Sequence, residues 1–297
     1  MIERPAIIVT SLGRTGTTFF SSLFGEIIPN CDSFHEPDIV QYFGTNDRFE
    51  AFKKRVRDAG FYNMVFRKLL GRWSLIKLSD NRLIGKLSYD NAVKDVLKQR
   101  TGFVQSKHGS IYIESNAGYY GLMDILRDVY RHHKAIFLIR DARDWVSSAM
   151  RVEELYGKKG IRKMLAHKMP EATQFPDDPL RADWLITSRF VKLCWAWSKL
   201  NEYALQTVSE NPHARVFKFE NIFSGTEKYS HLKDVIQHAT ALPGLEHAKL
   251  GSTEGWLEKK INQSSNDTQD WQNWTPDERR QFERICGPLM ERLGYKI

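Results

Sequence analysis

Apolar positions in this chain fall in short runs separated by stretches of helical length. Residues 6–9 form a continuous apolar run that, with Thr10 and the glycine-containing turn after it, predicts a buried strand over 6–10. The turn is Ser11-Leu12-Gly13-Arg14-Thr15-Gly16, and a helix over about 17–24 follows, with Phe19, Phe20, Leu23 and Phe24 at helical spacing. Residues 41–105 read as mainly helical. Residues 111–114 read as a short strand, and 118–132 as a helix with Leu122, Ile125, Leu126 and Val129 on one face. A second buried strand, 135–139, leads into a helix over about 143–155. Residues 157–183 are rich in loop signals, with Pro170, Pro176 and Pro179 as breakers. A long helix from about residue 182 carries Phe190, Leu193, Trp197 and Leu200 and ends before Pro212. A strand over 214–219 and a helix over 229–242 come next, then a polar, irregular stretch over 244–273. The last helix has clear punctuation: Thr275 as N-cap, Pro276 at the first position, Glu278 completing a capping box and Gly294 as the stop. Strands alternating with helices predict one α/β domain over residues 1–297, with a central parallel sheet of about five strands flanked by helices.

Composition adds a sign of charge. The 297 residues are 41% hydrophobic and 27% charged, an ordinary globular balance, with a formal net charge of +8. That excess favours anionic partners such as a nucleotide, a phosphate, a nucleic acid or an acidic glycan. No run approaches membrane-spanning length; the longest, Ala135-Ile136-Phe137-Leu138-Ile139, suits a strand, and the short run after Glu3-Arg4-Pro5 does not read as a secretory leader. Cys31, Cys194 and Cys286 are odd in number and far apart, which predicts reduced, mostly buried thiols in a cytoplasmic setting and no metal site. No basic-aromatic or finger motif points to nucleic acid. Lys53, Lys54, Arg55, Arg57, Arg67, Lys68 and Arg72 make the 41–105 stretch basic, as a solvated helical face or as an acceptor-facing surface.

The chemistry concentrates in two motifs. In Gly13-Arg14-Thr15-Gly16-Thr17-Thr18, the glycines let the backbone fold so that successive N–H groups converge on one anion at a helix start. Thr17 and Thr18 add hydroxyl donors, and Arg14 adds a forked cation. The Walker lysine is missing, because Thr17 follows Gly16, and this disfavours an ordinary ATPase or GTPase. The second motif, Arg140-Asp141-Ala142-Arg143-Asp144-Trp145-Val146-Ser147-Ser148, starts where a buried strand ends, the edge at which open α/β sheets bind ligands. Arg140 and Ser148, two helical turns on, could close on a second phosphate; a simple helix cap with a surface ion pair is the alternative.

Together these motifs resemble the nucleotide sulfotransferase family, which uses 3′-phosphoadenosine-5′-phosphosulfate (PAPS) as sulfuryl donor. The first is similar to that family's [K/R]-x-G-T-T loop, which grips the 5′-phosphosulfate. The second is similar to its R-D-P-R-D-x-x-x-S segment, which holds the 3′-phosphate through the first Arg and last Ser, here Arg140 and Ser148. Phe217-Lys218-Phe219-Glu220-Asn221-Ile222 resembles the family's Y-E-D-L segment, and Lys260-Ile261-Asn262-Gln263-Ser264 a late loop that closes over the nucleotide. The resemblance implies a P-loop-like sulfotransferase fold, PAPS as co-substrate, no metal, and transfer to a hydroxyl or amine on a glycan, lipid or small metabolite. It places Gly13, Arg14, Thr15, Gly16, Thr17, Thr18, Arg140, Ser148, Lys260 and Asn262 around the nucleotide, at the carboxyl ends of the first strand and of the third or fourth. Ala142 stands where the family has Pro, and its K-T-H strand motif is absent. The pattern is closer to the bacterial and carbohydrate branches, in which a glutamate soon after the first helix is the base.

That base position corresponds to Phe34-His35-Glu36-Pro37-Asp38. Glu36 is the expected base and His35 the runner-up, with Arg14 neutralising charge on the leaving group. His108, Glu114 and Asn116 are expected on the acceptor side. Among the tryptophans, Trp195 and Trp197 read as core, and one of Trp256, Trp271 and Trp274 could stack on adenine. Two other function classes stay open: a small-molecule P-loop kinase, with Asp141 as the one tempting Mg²⁺ ligand, and a non-catalytic anion-binding protein.

Overall fold

A computed structural model describes residues 1–37, 74–151, 155–157, 169–246, 248–258 and 271–296. Five strands form one parallel sheet: β1 (Ala6–Thr10), β2 (Cys31–His35), β3 (Ile111–Ser115), β4 (His133–Ile139) and β5 (Ala214–Lys218), in the order β2-β3-β1-β4-β5. β1 is central and wholly buried, pairing β3 from Ala6↔Tyr112 and β4 from Ala6↔His133. A strand covered on both faces can be apolar throughout, which is why residues 6–10 do not alternate.

Alternation still decides which neighbour each side chain meets. Ile7, Val9, Ile111, Ile113, Ile136 and Leu138 share one core with Phe20, Leu23 and Phe24 of α1 (Thr17–Ile27) and with Leu232 and Val235 of α8 (Lys228–Thr240). Ala6, Ile8, Tyr112, Ala135, Phe137 and Ile139 face the other way. They pack with α2 (Leu75–Leu83), α3 (Tyr89–Gln105) and the second half of α6 (Arg189–Ser209). The first half of α6 packs with α5 (Ala142–Met150) and α9 (Pro276–Arg292) in a third cluster, which contains Trp145, Trp197, Trp274 and Cys286. Cys31, Cys194 and Cys286 carry free thiols, the last two buried.

Several elements differ from the sequence reading. β2 has no apolar run (Cys-Asp-Ser-Phe-His) and was not expected. It is an edge strand, half-buried along its length, so pairing with β3 defines it rather than burial. The helix expected over 118–132 is only the single turn α4 (Leu126–Val129), preceded by a 3₁₀ turn at Ala117–Tyr119. Its apolar residues are buried as expected, but the backbone is pinned elsewhere. Asn116 Oδ1 accepts from Gly118 N (2.8 Å), and Ser79 Oγ donates to Gly118 O (2.6 Å) and accepts from Gly121 N (3.1 Å). A Cβ at Gly118 would lie 2.7 Å from Ile76 N, so only glycine permits this approach to α2.

α5 stops at Met150, where the Arg189 guanidinium donates to the carbonyls of Ala149 (2.9 Å), Met150 (2.8 Å) and Leu155 (2.8 Å). α6 begins at Arg189 rather than near 182, because Ser188 Oγ accepts from Val191 N and fixes the start there. β5 ends at Lys218, and a short helix, α7 (Phe219–Phe223), takes over. α9 keeps the capping box Thr275/Glu278, Pro276 in its first turn and Gly294 at φ 68° beyond its end. The basic stretch 41–73, Lys260 and Asn262 lie outside the described residues.

Candidate active site

The loop between β1 and α1 turns through left-handed backbone at Gly13 (φ 79°), Arg14 (φ 57°) and Gly16 (φ 77°). Gly13 N donates to Ser11 Oγ (3.0 Å), and Gly13 O accepts from Thr15 Oγ1 (2.7 Å) and Trp145 Nε1 (3.1 Å). Thr15 is therefore buried and shapes the loop with its hydroxyl. Gly16 is the N-cap of α1 and gives it no side-chain cap; Phe19 N donates back to Gly16 O (3.0 Å), and the N–H groups ahead of it in the first turn keep their capacity for an anion. Gly16 lies under Phe219 and Phe223 of α7, with its ideal Cβ position 3.2 Å from the Phe223 ring.

The second motif meets the first here. Arg140, directly after β4, donates from Nη1 to Arg14 O (3.0 Å). Arg14 Nε donates to Ser148 Oγ on α5 (3.1 Å). Arg140's guanidinium lies over the Phe219 ring (4.7 Å) and 3.9 Å from Asp144 Oδ2. Its Nε is buried and, among the described residues, has no hydrogen-bond partner. Burial, with the nearby charges of Arg140 and Arg151, pushes the Arg14 pKa down, the direction expected of cations gathered without enough anion between them. Asp141 caps α5 by accepting from Arg143 N (2.8 Å), and its oxygens also take Arg143 Nε (3.0 Å) and Nη2 (2.5 Å).

His35 ends β2 beside α1. Its Nε2 lies 3.0 Å from Thr18 Oγ1 and 3.4 Å from Thr17 Oγ1. Glu36 follows with φ 44°, an unfavourable backbone for a residue bearing a side chain, held by Glu36 N donating to Ser115 O (2.9 Å). Ser115 Oγ donates to Thr17 O (2.6 Å), so one residue of β3 joins the Glu36 turn to the first turn of α1.

Of the three residues expected on the acceptor side, the structure engages Glu114 and Asn116 with other partners and sets His108 apart. Glu114 is fully buried on the opposite face of β3 from α1. Its carboxylate accepts from Arg100 Nε (2.7 Å) and Nη2 (2.6 Å), Tyr112 OH (2.6 Å), Tyr119 OH (3.1 Å) and Asn116 Nδ2 (2.8 Å). Asn116 is spent on Glu114 and Gly118. His108 precedes β3, at the amino edge of the sheet and one strand length from the loop after β1. Trp256 and Trp274 are likewise structural: Trp256 packs edge-on against Phe19 (5.8 Å), and Trp274 against Phe190 (4.8 Å) and Phe282 (4.9 Å). Trp271 sits beneath the Arg143 guanidinium (5.1 Å).

Sequence reasoning did not find Trp145, Phe219, Phe223 or Ser115, all of which shape the site. Trp145 lies inside the second motif, but nothing in its spacing signals a bond to Gly13. Among the described residues, no helix is long and apolar enough to cross a membrane, and no group of three or more His, Cys, Asp or Glu side chains could hold a metal ion.

No family model matches this sequence, and no curated protein matches it. Among solved structures, the fold is similar to a sulfotransferase domain from the curacin biosynthetic pathway (13% identity, TM-score 0.47, covering 100% of this chain and 99% of that one). It is similar to a sulfotransferase domain of the Synechococcus PCC 7002 olefin synthase (13% identity, TM-score 0.47, 100% and 96% covered). It is also similar to a sulfotransferase from Alicyclobacillus acidocaldarius (12% identity, TM-score 0.41, 100% and 98% covered).

Proposed function

We propose that this chain is a sulfotransferase that moves a sulfuryl group from PAPS to a hydroxyl-bearing acceptor. One observation carries the reading. Arg14, Arg140 and Ser148, from two motifs far apart in sequence, meet at the start of a helix that no side chain caps. The buried, unpartnered Nε of Arg140 fits an anion that supplies its missing acceptor.

In this reading the loop N–H groups, Arg14 and the hydroxyls of Thr17 and Thr18 hold the 5′-phosphosulfate. Arg140 and Ser148 hold the 3′-phosphate. Lys260 and Asn262 would close over the nucleotide. The acceptor oxygen forms its bond to sulfur as the bond from sulfur to the bridging 5′-phosphate oxygen breaks, giving a sulfate ester and adenosine 3′,5′-bisphosphate. Arg14 answers the charge that grows on the departing phosphate, an interaction strongest in the transition state. The acceptor proton goes to Glu36; the strained backbone that Ser115 maintains there supports a placed carboxylate. His35, on the Thr17 and Thr18 hydroxyls, orients these donors and is the second candidate base.

The kinase alternative loses its metal ligand, since Asp141 is engaged by Arg143. The test is transfer of labelled sulfuryl from PAPS to a panel of hydroxyl acceptors without added metal, alongside calorimetric binding of the bisphosphate. Glu36→Gln is expected to abolish turnover and leave bisphosphate binding intact. Binding of ATP only with Mg²⁺, and none of the bisphosphate, would overturn the reading.

A further inference from the structure

We infer that Glu220 and Tyr295 form a positioning pair that sets the angle of Arg140, and so governs discrimination for the 3′-phosphate; this rests on the nucleotide-site reading above. The main chain at Arg140 and Asp141 is held at two points. Trp197 Nε1 donates to Arg140 O (3.0 Å), and Asp141 N donates to Glu220 Oε1 (2.8 Å). The other Glu220 oxygen accepts from Tyr295 OH (3.0 Å). Both oxygens thus serve fixed donors.

Glu220 sits on α7 next to Phe219, whose ring carries the Arg140 guanidinium. This single helical turn therefore fixes both the main chain and the side chain of Arg140. Tyr295 reaches it because Gly294 (φ 68°) turns the chain back after α9, with Tyr295 N donating to Met290 O (2.9 Å). Lys218 Nζ lies over the Tyr295 ring (4.5 Å) and 3.4 Å from Gly294 O. The charged groups around the pair are Asp141, Asp144, Arg143 and Lys218. Burial pushes the Glu220 pKa up, opposed by the bonds from Asp141 N and Tyr295. Loss of the tyrosine hydroxyl removes one of those bonds and loosens the carboxylate that holds Asp141.

The experiment is calorimetric titration of adenosine 3′,5′-bisphosphate and of adenosine 5′-monophosphate into the full chain. Wild type, Tyr295→Phe, Glu220→Gln and, for reference, Arg140→Ala are compared, with thermal unfolding of each. Wild type is expected to prefer the bisphosphate. Tyr295→Phe should cut that preference by about 5- to 10-fold, the worth of one hydrogen bond, and leave the monophosphate affinity unchanged. Glu220→Gln should do so at least as strongly. An equal loss for both nucleotides, or an unchanged preference in both variants, would overturn the positioning role while leaving the nucleotide site standing. A wild type with no preference for the bisphosphate would overturn the site reading itself and the pair's role with it.

Discussion

Arg14 Nε donates to Ser148 Oγ at 3.1 Å, a bond between residues 134 positions apart that joins the loop after β1 to the helix after β4. Two side chains in contact around one ligand are not independent. A double-mutant cycle of Arg14→Ala and Ser148→Ala on bisphosphate affinity is expected to show a coupling of about 0.5–3 kcal/mol. Strict additivity would mean that the Arg14–Ser148 bond plays no part in nucleotide affinity.

Gly16 combines left-handed backbone (φ 77°) with a Cβ position 3.2 Å from the Phe223 ring. Gly16→Ala therefore meets both a backbone penalty of about 1–2 kcal/mol and a clash with the aromatic cover. Bisphosphate affinity should fall more than about tenfold from misplaced N–H donors. A near-normal dissociation constant in calorimetry would show that the loop does not cradle the phosphate.

Glu114 and Arg100 are wholly buried and face each other. Glu114→Ala leaves a guanidinium in the core without its carboxylate and should lower unfolding stability by about 3–5 kcal/mol. Denaturant unfolding measures this. A small loss, accompanied by a raised acceptor KM, would return Glu114 to the acceptor pocket.

His133 and His238 are buried, and burial pushes each down to about 4. In the unfolded chain both take up a proton near pH ~6.5, so between there and about pH 4 the unfolded state binds more protons. Stability is unaffected by them above that window and falls as pH drops through it. The urea midpoint should decline between about pH 7 and pH 5, and less so in His238→Gln, whose amide can still donate to Ala135 O, the partner of His238 Nε2. Equal declines in the two proteins would remove His238 from the account.

The central strands, the loop after β1 and the last helix were legible in the sequence because each carries a local signal: an unbroken apolar run, glycines where φ is positive, a capping box. β2 was not, because an edge strand of mixed residues has no periodicity and is defined by its partner. The 118–132 segment misled for the opposite reason. Its apolar spacing is helical, but Ser79 and Asn116, remote or flanking side chains, hold its backbone. In the candidate site, charged and hydroxyl groups announced themselves, whereas Trp145, Phe219 and Phe223 act through an indole bond to Gly13 O and through ring faces, and in sequence read like any core aromatic. Glu114 reads as a ligand residue because it is polar and lies at a strand end, and only the fold reveals the arginine facing it.

The central place of β1 has a consequence for synthesis. Ala6 pairs with Tyr112 on one side and with His133 on the other. As the chain leaves the ribosome, more than a hundred residues must emerge before its most buried strand finds either neighbour, so early ordering falls to α1 and to local turns. The loop after β1 acquires its supporting contacts from Ser148 and Trp145 only after β4 and α5 have emerged. Pairing of this range makes for slow folding, with an apolar strand exposed meanwhile. A nascent chain truncated before β4 would thus carry the complete first motif yet lack the contacts that hold it in shape.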